Sequence, residues 1–290
     1  MNVLIVGKNS YIGQGVGKWF SGKENSPTVD YISVRDDAWW EKDLSIYEVV
    51  LFAAAIVHRK DINDWALYQQ VNALLPREFA LQAKKQGVKH FIFLSTMGVY
   101  KGGKGLPEST IINSQTPLTP GGMYGKSKLE AETLLNELAD AHFHVSIIRP
   151  SNVYGHGCPG NYIPLFTKLS KMLPILPYAF DNVKQGMVYI DNLAELCWLA
   201  ANSDRSGIYV AQDAQPVSAY EIMCAITSAL GRRKGSIKCT WFFRPFCRIS
   251  LVNKLFGGIA YSQELANCPL GDYQIVDFSE GMRKTIQGQS

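Results

Sequence analysis

Five apolar, β-rich runs, at 2–7, 29–34, 49–54, 91–95 and 144–148, alternate with segments of helical period along the first 150 residues. That rhythm predicts parallel strands joined by helices. Helices are expected over 11–21, 64–86 and 123–141, the last carrying Leu129, Leu134, Leu135 and Leu138 on a common side. Beyond Pro150 the pattern loosens into loop rich in glycine and proline. A helix is expected there over 162–172, and a strand-then-helix unit over 187–201.

The turn after the first run reads Val6-Gly7-Lys8-Asn9-Ser10-Tyr11-Ile12-Gly13. It leaves a strand and opens a helix, where a dinucleotide pyrophosphate can sit on free backbone amides. Gly7 permits the tight turn and Gly13 the close packing of helix on strand, while Ser10 replaces the middle glycine of the motif and Tyr11 and Ile12 begin the helix. The expected fold is α/β: a Rossmann-type doubly wound parallel sheet over 1–150 with the cofactor and catalytic residues, and a small C-terminal α/β substrate-binding cap over 151–290. Strand and helix near 187–211 are expected to return to the core. At the end of the second strand, Ser33 and Arg35 suit the 2′-phosphate of NADP(H), Arg35 by a bidentate fork. Asp30, Asp36 and Asp37 lie close by, so a register error of two residues would reverse the preference and NAD(H) stays an alternative.

At 290 residues, with 47% hydrophobic and 19% charged content, the chain is long enough to bury a core without disulfide or metal. Its six cysteines are scattered without a CxxC pair, which fits reduced thiols. Met1 leads straight into the apolar run with no secretory pattern, so a cytoplasmic location is expected. His142 and His144 could share a strand face, but no third ligand accompanies them and no metal is expected. A net charge of +4 is no argument for nucleic acid. Its distribution is uneven, with seven Lys or Arg and no Asp or Glu between Ile222 and Gln263, leaving −3 for the rest. Within 232–256 those basic residues interleave with Trp241, Phe242, Phe243, Phe246 and Phe256. This stretch is either a peripheral membrane or partner surface or the solvated side of C-terminal helices. The second is favoured, since a small cap would bury the aromatics.

Two positions fit Tyr-x-x-x-Lys, Tyr100/Lys104 and Tyr124/Lys128. The first pair flanks Gly102-Gly103, where no helix holds it together; the second opens a strong helix and shares one face at i, i+4. Lys128 can there bind the nicotinamide ribose and, by its charge together with that of an oxidised nicotinamide, lower the pKa of Tyr124, making Tyr124 a general acid or base. A third hydroxyl should come from the end of the preceding strand, where Ser95 and Thr96 are candidates.

The stretches Phe91 to Tyr100, Tyr124-Gly125-Lys126-Ser127-Lys128 and Arg149-Pro150-Ser151-Asn152-Val153-Tyr154-Gly155, with the glycine turn, resemble the extended short-chain dehydrogenase/reductase family. Within it they are similar to the nucleotide-sugar epimerases, dehydratases and 4-keto reductases. The resemblance covers nearly the whole chain, with its motifs in the expected order. It implies that Thr96 is the catalytic Ser/Thr with Ser95 beside it, that Tyr124 is the proton donor or acceptor, and that Lys128 is its electrostatic partner. It further implies cofactor contacts at Asp43, Leu44, Ala53, Ala54, Ala55, Asn72, Ser95 and Pro150, and sugar-diphosphate contacts at Asn152 and Asn161. Where relatives carry an arginine for the diphosphate, this chain reads Val183-Lys184-Gln185-Gly186-Met187, so Lys184 would supply charge without a planar fork and Gln185 lies beside it. In similar proteins the helices around Asn72 and Tyr124 form a dimer bundle, which makes a homodimer an expectation too.

The resemblance leaves the reaction open. A 4,6-dehydratase carries an Asp-Glu pair directly after the threonine, and Met97-Gly98 stands there instead. The Ser33/Arg35 pair tilts toward NADPH-dependent reduction of a UDP-4-keto-6-deoxy-hexose, N-acetylated by expectation. The alternatives are an NAD-dependent UDP-hexose 4-epimerase and, in another class, an inactive dinucleotide-binding regulator. The complete Thr96, Tyr124 and Lys128 set argues against the last.

Overall fold

The N-terminal apolar run forms β1 (Asn2–Val6), whose Val3, Leu4, Ile5 and Val6 are fully buried inside a sheet covered on both faces. The computed structural model describes residues 1–288 apart from 25, 58–63, 101, 104 and 161. The chain continues through α1 (Tyr11–Ser21), β2 (Thr28–Ile32), β3 (Val49–Phe52), α2 (Trp65–Gln69), a π-helical turn (Gln70–Leu74), α3 (Leu75–Lys85) and β4 (His90–Leu94). Then come β5 (Thr110–Ile112), α4 (Met123–Asn136), β6 (His144–Pro150), β7 (Asn152–Tyr154), α5 (Tyr162–Met172), β8 (Leu176–Tyr178), β9 (Met187–Tyr189), α6 (Ile190–Ala201) and β10 (Gly207–Ala211). The last part holds α7 (Ala219–Ala229), β11 (Ser236–Lys238), α8 (Thr240–Phe243), α9 (Ser250–Phe256), β12 (Ile259–Tyr261), α10 (Gln263–Ala266) and α11 (Phe278–Gln287).

Six parallel strands make the main sheet, in the order β10-β6-β4-β3-β1-β2. From β1 the chain builds outward to β2 on one side and to β3 and β4 on the other. The crevice at the carboxyl ends of β1 and β3 is therefore the topological switch point where such sheets bind ligands. On one face Val16 and Phe20 of α1 pack with Leu193 and Cys197 of α6. On the other, Phe79 and Ala83 of α3 pack with Ala131 and Leu135 of α4. Burial on both faces is why the strands read as near-continuous apolar runs. A third core, containing Tyr154, Phe166, Phe180, Ile222 and Met282, holds the cap, whose strands form the two-stranded ladders β5-β12, β7-β9 and β8-β11.

The helix expected over 162–172 forms as α5. The one expected over 64–86 forms with a wide turn at its middle, and the one from 123 ends at Asn136. In the 187–211 region, β9 pairs with β7 rather than joining the main sheet, and β10 returns to the sheet edge. The 310 turn Asp37–Glu41 was not foreseen, because its sequence carries no apolar period. Its Trp39 is buried and stacks on Phe79 with ring centroids 4.9 Å apart.

Candidate active site

Gly7 leaves β1 at φ 111°, a left-handed conformation that glycine adopts without strain. A Cβ at Gly7 would lie 2.9 Å from the Ala54 amide nitrogen, so the turn presses onto the backbone after β3 and forms a cradle that a side chain would fill. Ser10 caps α1 and accepts from the Gly13 amide at 3.2 Å. The hydroxyl thus does locally what the motif's missing glycine could not, and the first-turn amides of Tyr11 and Ile12 keep no intrahelical acceptor. These groups fit a dinucleotide diphosphate. Ile32 at the end of β2 accepts from the Gly7 and Lys8 amides at 2.9 and 3.2 Å, which places Ser33 beside the turn. Ser33 is half-buried and Arg35 exposed, and the Arg35 amide donates to Ser33 Oγ. Asp30 sits two residues earlier, its carboxylate accepting from Tyr47 at 2.7 Å, and Asp36 caps the following 310 turn. The register places neither carboxylate at the strand end.

Thr96 follows β4 and caps the 310 turn Met97–Val99, with Oγ1 accepting from the Gly98 amide at 3.0 Å. It also hydrogen-bonds Tyr124, the second residue of α4. The two elements meet because Gly125 lacks a Cβ, which would overlap the Gly98 carbonyl oxygen. One turn further, Lys128 is buried; its Nζ donates to the Leu94 carbonyl at 2.7 Å and lies 4.2 Å from the Phe93 ring centroid. Burial pushes Lys128 down to about 7, opposed by nearby Glu132. Burial also pushes the Tyr124 phenol up to about 12, opposed by the bond with Thr96. The lowering of Tyr124 was expected from Lys128 together with an oxidised nicotinamide. In the free protein burial wins, because the same desolvation weakens the charge that would do the lowering.

Behind this pair lies a polar network that the sequence reading missed. Ser95 Oγ donates to Glu132, turning away from Thr96. Arg149 pairs with Glu132 through Nε at 3.0 Å and Nη2 at 2.5 Å, and donates through Nη1 to Tyr100 at 2.8 Å. The available signal was position, since Glu132 follows Lys128 at i+4 and shares its helix face. Tyr100 is thus a partner of Arg149, while Lys104 lies outside the described residues.

The remaining candidates divide. Asn72 is buried in the π-helical turn, pairing with the Ile56 amide and carbonyl at 2.8 and 2.9 Å and with Ser127 Oγ at 3.1 Å; it pins the segment after β3 to α4. Ala53, Ala54 and Ala55 are half-buried after β3, close to Gly7, and Pro150 ends β6 at the same rim. Asp43 is exposed and turned to Ser45, and Leu44 lies in the core beside Trp39. Asn152 is exposed, with Nδ2 3.4 Å from the Gly186 carbonyl. Asn161 lies outside the described residues. Lys184 pairs with Glu221 at 2.5 Å, and Gln185 is buried against the Tyr162 hydroxyl. The structure brings Gly7, Ser33, Ala54, Thr96, Tyr124 and Lys128 to the carboxyl rim of the sheet, while Lys184 faces α7.

The chain is similar to known proteins along most of its length. The chain is 27% identical over 291 residues to the UDP-glucose 4-epimerase of Vibrio cholerae, covering 97% of this chain and 88% of the relative. It is 26% identical to the N-acetyl-alpha-D-glucosaminyl-diphospho-ditrans,octacis-undecaprenol 4-epimerase of Escherichia coli O157:H7, over 80% of this chain and 73% of the relative. In fold it matches the crystal structure of UDP-N-acetylglucosamine 4-epimerase from Bacillus cereus, with a TM-score of 0.79 at 16% identity, covering 100% of this chain and 99% of that one. The model of the NAD dependent epimerase/dehydratase family matches residues 3–211. With that match spanning the turn, the hydroxyl pair, the lysine and β10, the chain belongs to the NAD dependent epimerase/dehydratase family.

Proposed function

We propose that the protein interconverts epimers at C4 of a diphosphate-linked hexose, a UDP-sugar in the first instance, on a resident NAD-type dinucleotide. The observation that carries this reading is the Thr96–Tyr124 hydrogen bond, with Lys128 buried one helical turn away. The similarity to 4-epimerases over 97% and 80% of the chain supports it. The cradle at Gly7, the rim at Ala53–Ala55 and Lys128 would hold the dinucleotide, which when bound takes hydride from C4 and returns it. Tyr124 accepts the C4 hydroxyl proton as the ketone forms and gives it back on reversal. Thr96 holds the same oxygen in line, and Lys128 offsets the charge left on Tyr124. Epimerisation requires the ketone to be approached from both faces, so the site must hold the diphosphate more firmly than the ring.

A second reading, reduction of a 4-keto sugar by NADPH, is favoured by Ser33 and Arg35 at the end of β2. One experiment separates the two. The purified enzyme should release a tightly held oxidised dinucleotide on denaturation and should interconvert UDP-glucose or UDP-N-acetylglucosamine with its C4 epimer without added cofactor. Tyr124→Phe should lower that turnover by about 10²- to 10⁴-fold. Turnover only of 4-keto sugars, with one NADPH consumed per product, would replace the first reading with the second.

A further inference from the structure

The segment expected to turn its aromatics inward does so only in part. Phe243 and Phe256 pack into the cap core, their rings 5.0 Å apart and Phe256 5.9 Å from Phe180. From Phe243 the ring contacts run outward, through Phe242 at 5.2 Å to Trp241 and Phe246, each 6.0 Å from Phe242. Those three are 76%, 52% and 41% exposed for Trp241, Phe242 and Phe246. Ile237 and Ile249, 58% and 49% exposed, lie in the same stretch. Large apolar groups exposed in one contiguous stretch mark an interaction surface, unlike singly scattered ones.

Along this stretch the charge is of one sign, with Asp181 of the neighbouring turn close to Lys238. Arg232, Arg233, Lys238, Arg244, Arg248 and Lys254 are all exposed, and no acidic residue lies between Ile222 and Gln263. Among the described residues, none of the ion pairs involves Arg232, Arg233, Arg244, Arg248 or Lys254. Pro245 and the shortness of α8 and α9 keep the backbone in brief turns, so the rings project from a knob rather than from one long amphipathic helix. No described helix is long and apolar enough to cross a membrane. Aromatic tips among unpaired cations suit the interfacial zone of an anionic bilayer: rings enter the headgroup and acyl boundary, and the cations meet the phosphates.

We propose that residues 237–249, backed by the flanking basic residues, form a peripheral docking surface for anionic lipid bilayers. The segment leads on to the 183–186 loop of the cap. From α9 the chain passes through Gly257 and Gly258 into β12, and the Ile259 carbonyl accepts from the Gly186 amide at 2.8 Å. A Cβ on Gly258 would overlap the Lys184 carbonyl oxygen, so the link that follows α9 packs closely on the 183–186 loop. Docking would hold that loop near the membrane surface. The inference stands on exposure and charge and is independent of the reaction proposed above.

Flotation of the full chain with vesicles tests it. The protein should float with vesicles of phosphatidylcholine and phosphatidylglycerol and stay below with pure phosphatidylcholine, and binding should fall as salt is raised. Each basic residue near the surface is worth about fivefold in partitioning, so Arg244→Ala/Arg248→Ala should weaken binding by about 25-fold. Trp241→Ser/Phe242→Ser should abolish flotation while melting temperature and turnover on soluble UDP-sugar stay at wild-type values. The charge variant touches no buried group and covers the case of a misfolded aromatic variant. Failure of the wild type to float, equal flotation with neutral vesicles, or unchanged flotation of both variants would overturn the proposal. So would a wild-type dimer that the aromatic variant converts to monomer without any lipid binding, which would assign the patch to a second copy of this chain.

Discussion

The inner face of α4 and the 237–249 knob depart from the usual partition of residues in opposite directions. Along α4, Lys128 and Glu132 are buried with Arg149, Ser95, Ser127 and Asn72 around them. On the knob, tryptophan, phenylalanine and isoleucine are exposed among exposed cations. In α4 each buried polar group has a named partner, so the arrangement answers to the protein's own interior: it fixes where Tyr124 and Lys128 stand. On the knob the described residues leave the rings uncovered, and the arrangement answers to something outside. Both departures reduce stability relative to an ordinary core and surface, and such departures concentrate where function requires them.

If that contrast is right, two arginines of equal charge should behave very differently. Arg149→Met leaves Glu132 buried without its partner and should cost about 3–5 kcal/mol of unfolding free energy, whereas Arg244→Ala should change it by less than about 0.5 kcal/mol. Urea denaturation of both variants makes the comparison, and equal losses would break it. Lys128→Met should act in the opposite sense, removing activity while stabilising the free protein by about 1–4 kcal/mol near neutral pH. Lys128 titrates near 7 in the folded chain, below the ordinary lysine value of 10.5, so the unfolded chain holds that proton more firmly between the two. Wild-type stability from this group should therefore rise with pH across that window, and the advantage of the methionine variant should shrink from about pH 7 to pH 10. A smaller loss than that of Arg149→Met is expected of Gly125→Ala, which pushes α4 away from Gly98. It should cost about 1–3 kcal/mol and lengthen the Thr96–Tyr124 contact, lowering turnover by about 10- to 100-fold with little change in dinucleotide affinity, measured by fluorescence titration.

Much of the rim was legible because its chemistry is local. A glycine seven residues into the chain, a tyrosine and lysine four apart, and a threonine closing an apolar run each state their geometry in a few residues. The glycine pair Gly98 and Gly125 is less legible, since one closes a turn and the other opens a helix and only the fold makes them touch. Asn72 shows the same limit: the resemblance implied a place near the cofactor, and the bonds its amide makes, 16 residues away to Ile56 and 55 to Ser127, could not be read from the sequence. Lys184 was a free charge on paper and is an ion pair with a capping-box glutamate in the fold. The cap ladders β5-β12 and β8-β11 are three residues per strand, too short for alternation to emerge.

The wide turn at 70–74 has a consequence of its own. A π-helical turn is an α-helix that has accepted one residue too many, and the surplus is absorbed within that single turn. Removing one residue there would regularise the helix while Phe79, Ala80 and Ala83 kept their seats in the core, because the phase on either side is already that of an ordinary helix. The cost would fall on Asn72, which sits inside the turn and whose bonds reach Ile56 and Ser127. A one-residue difference in length is thus confined to the turn that carries Asn72.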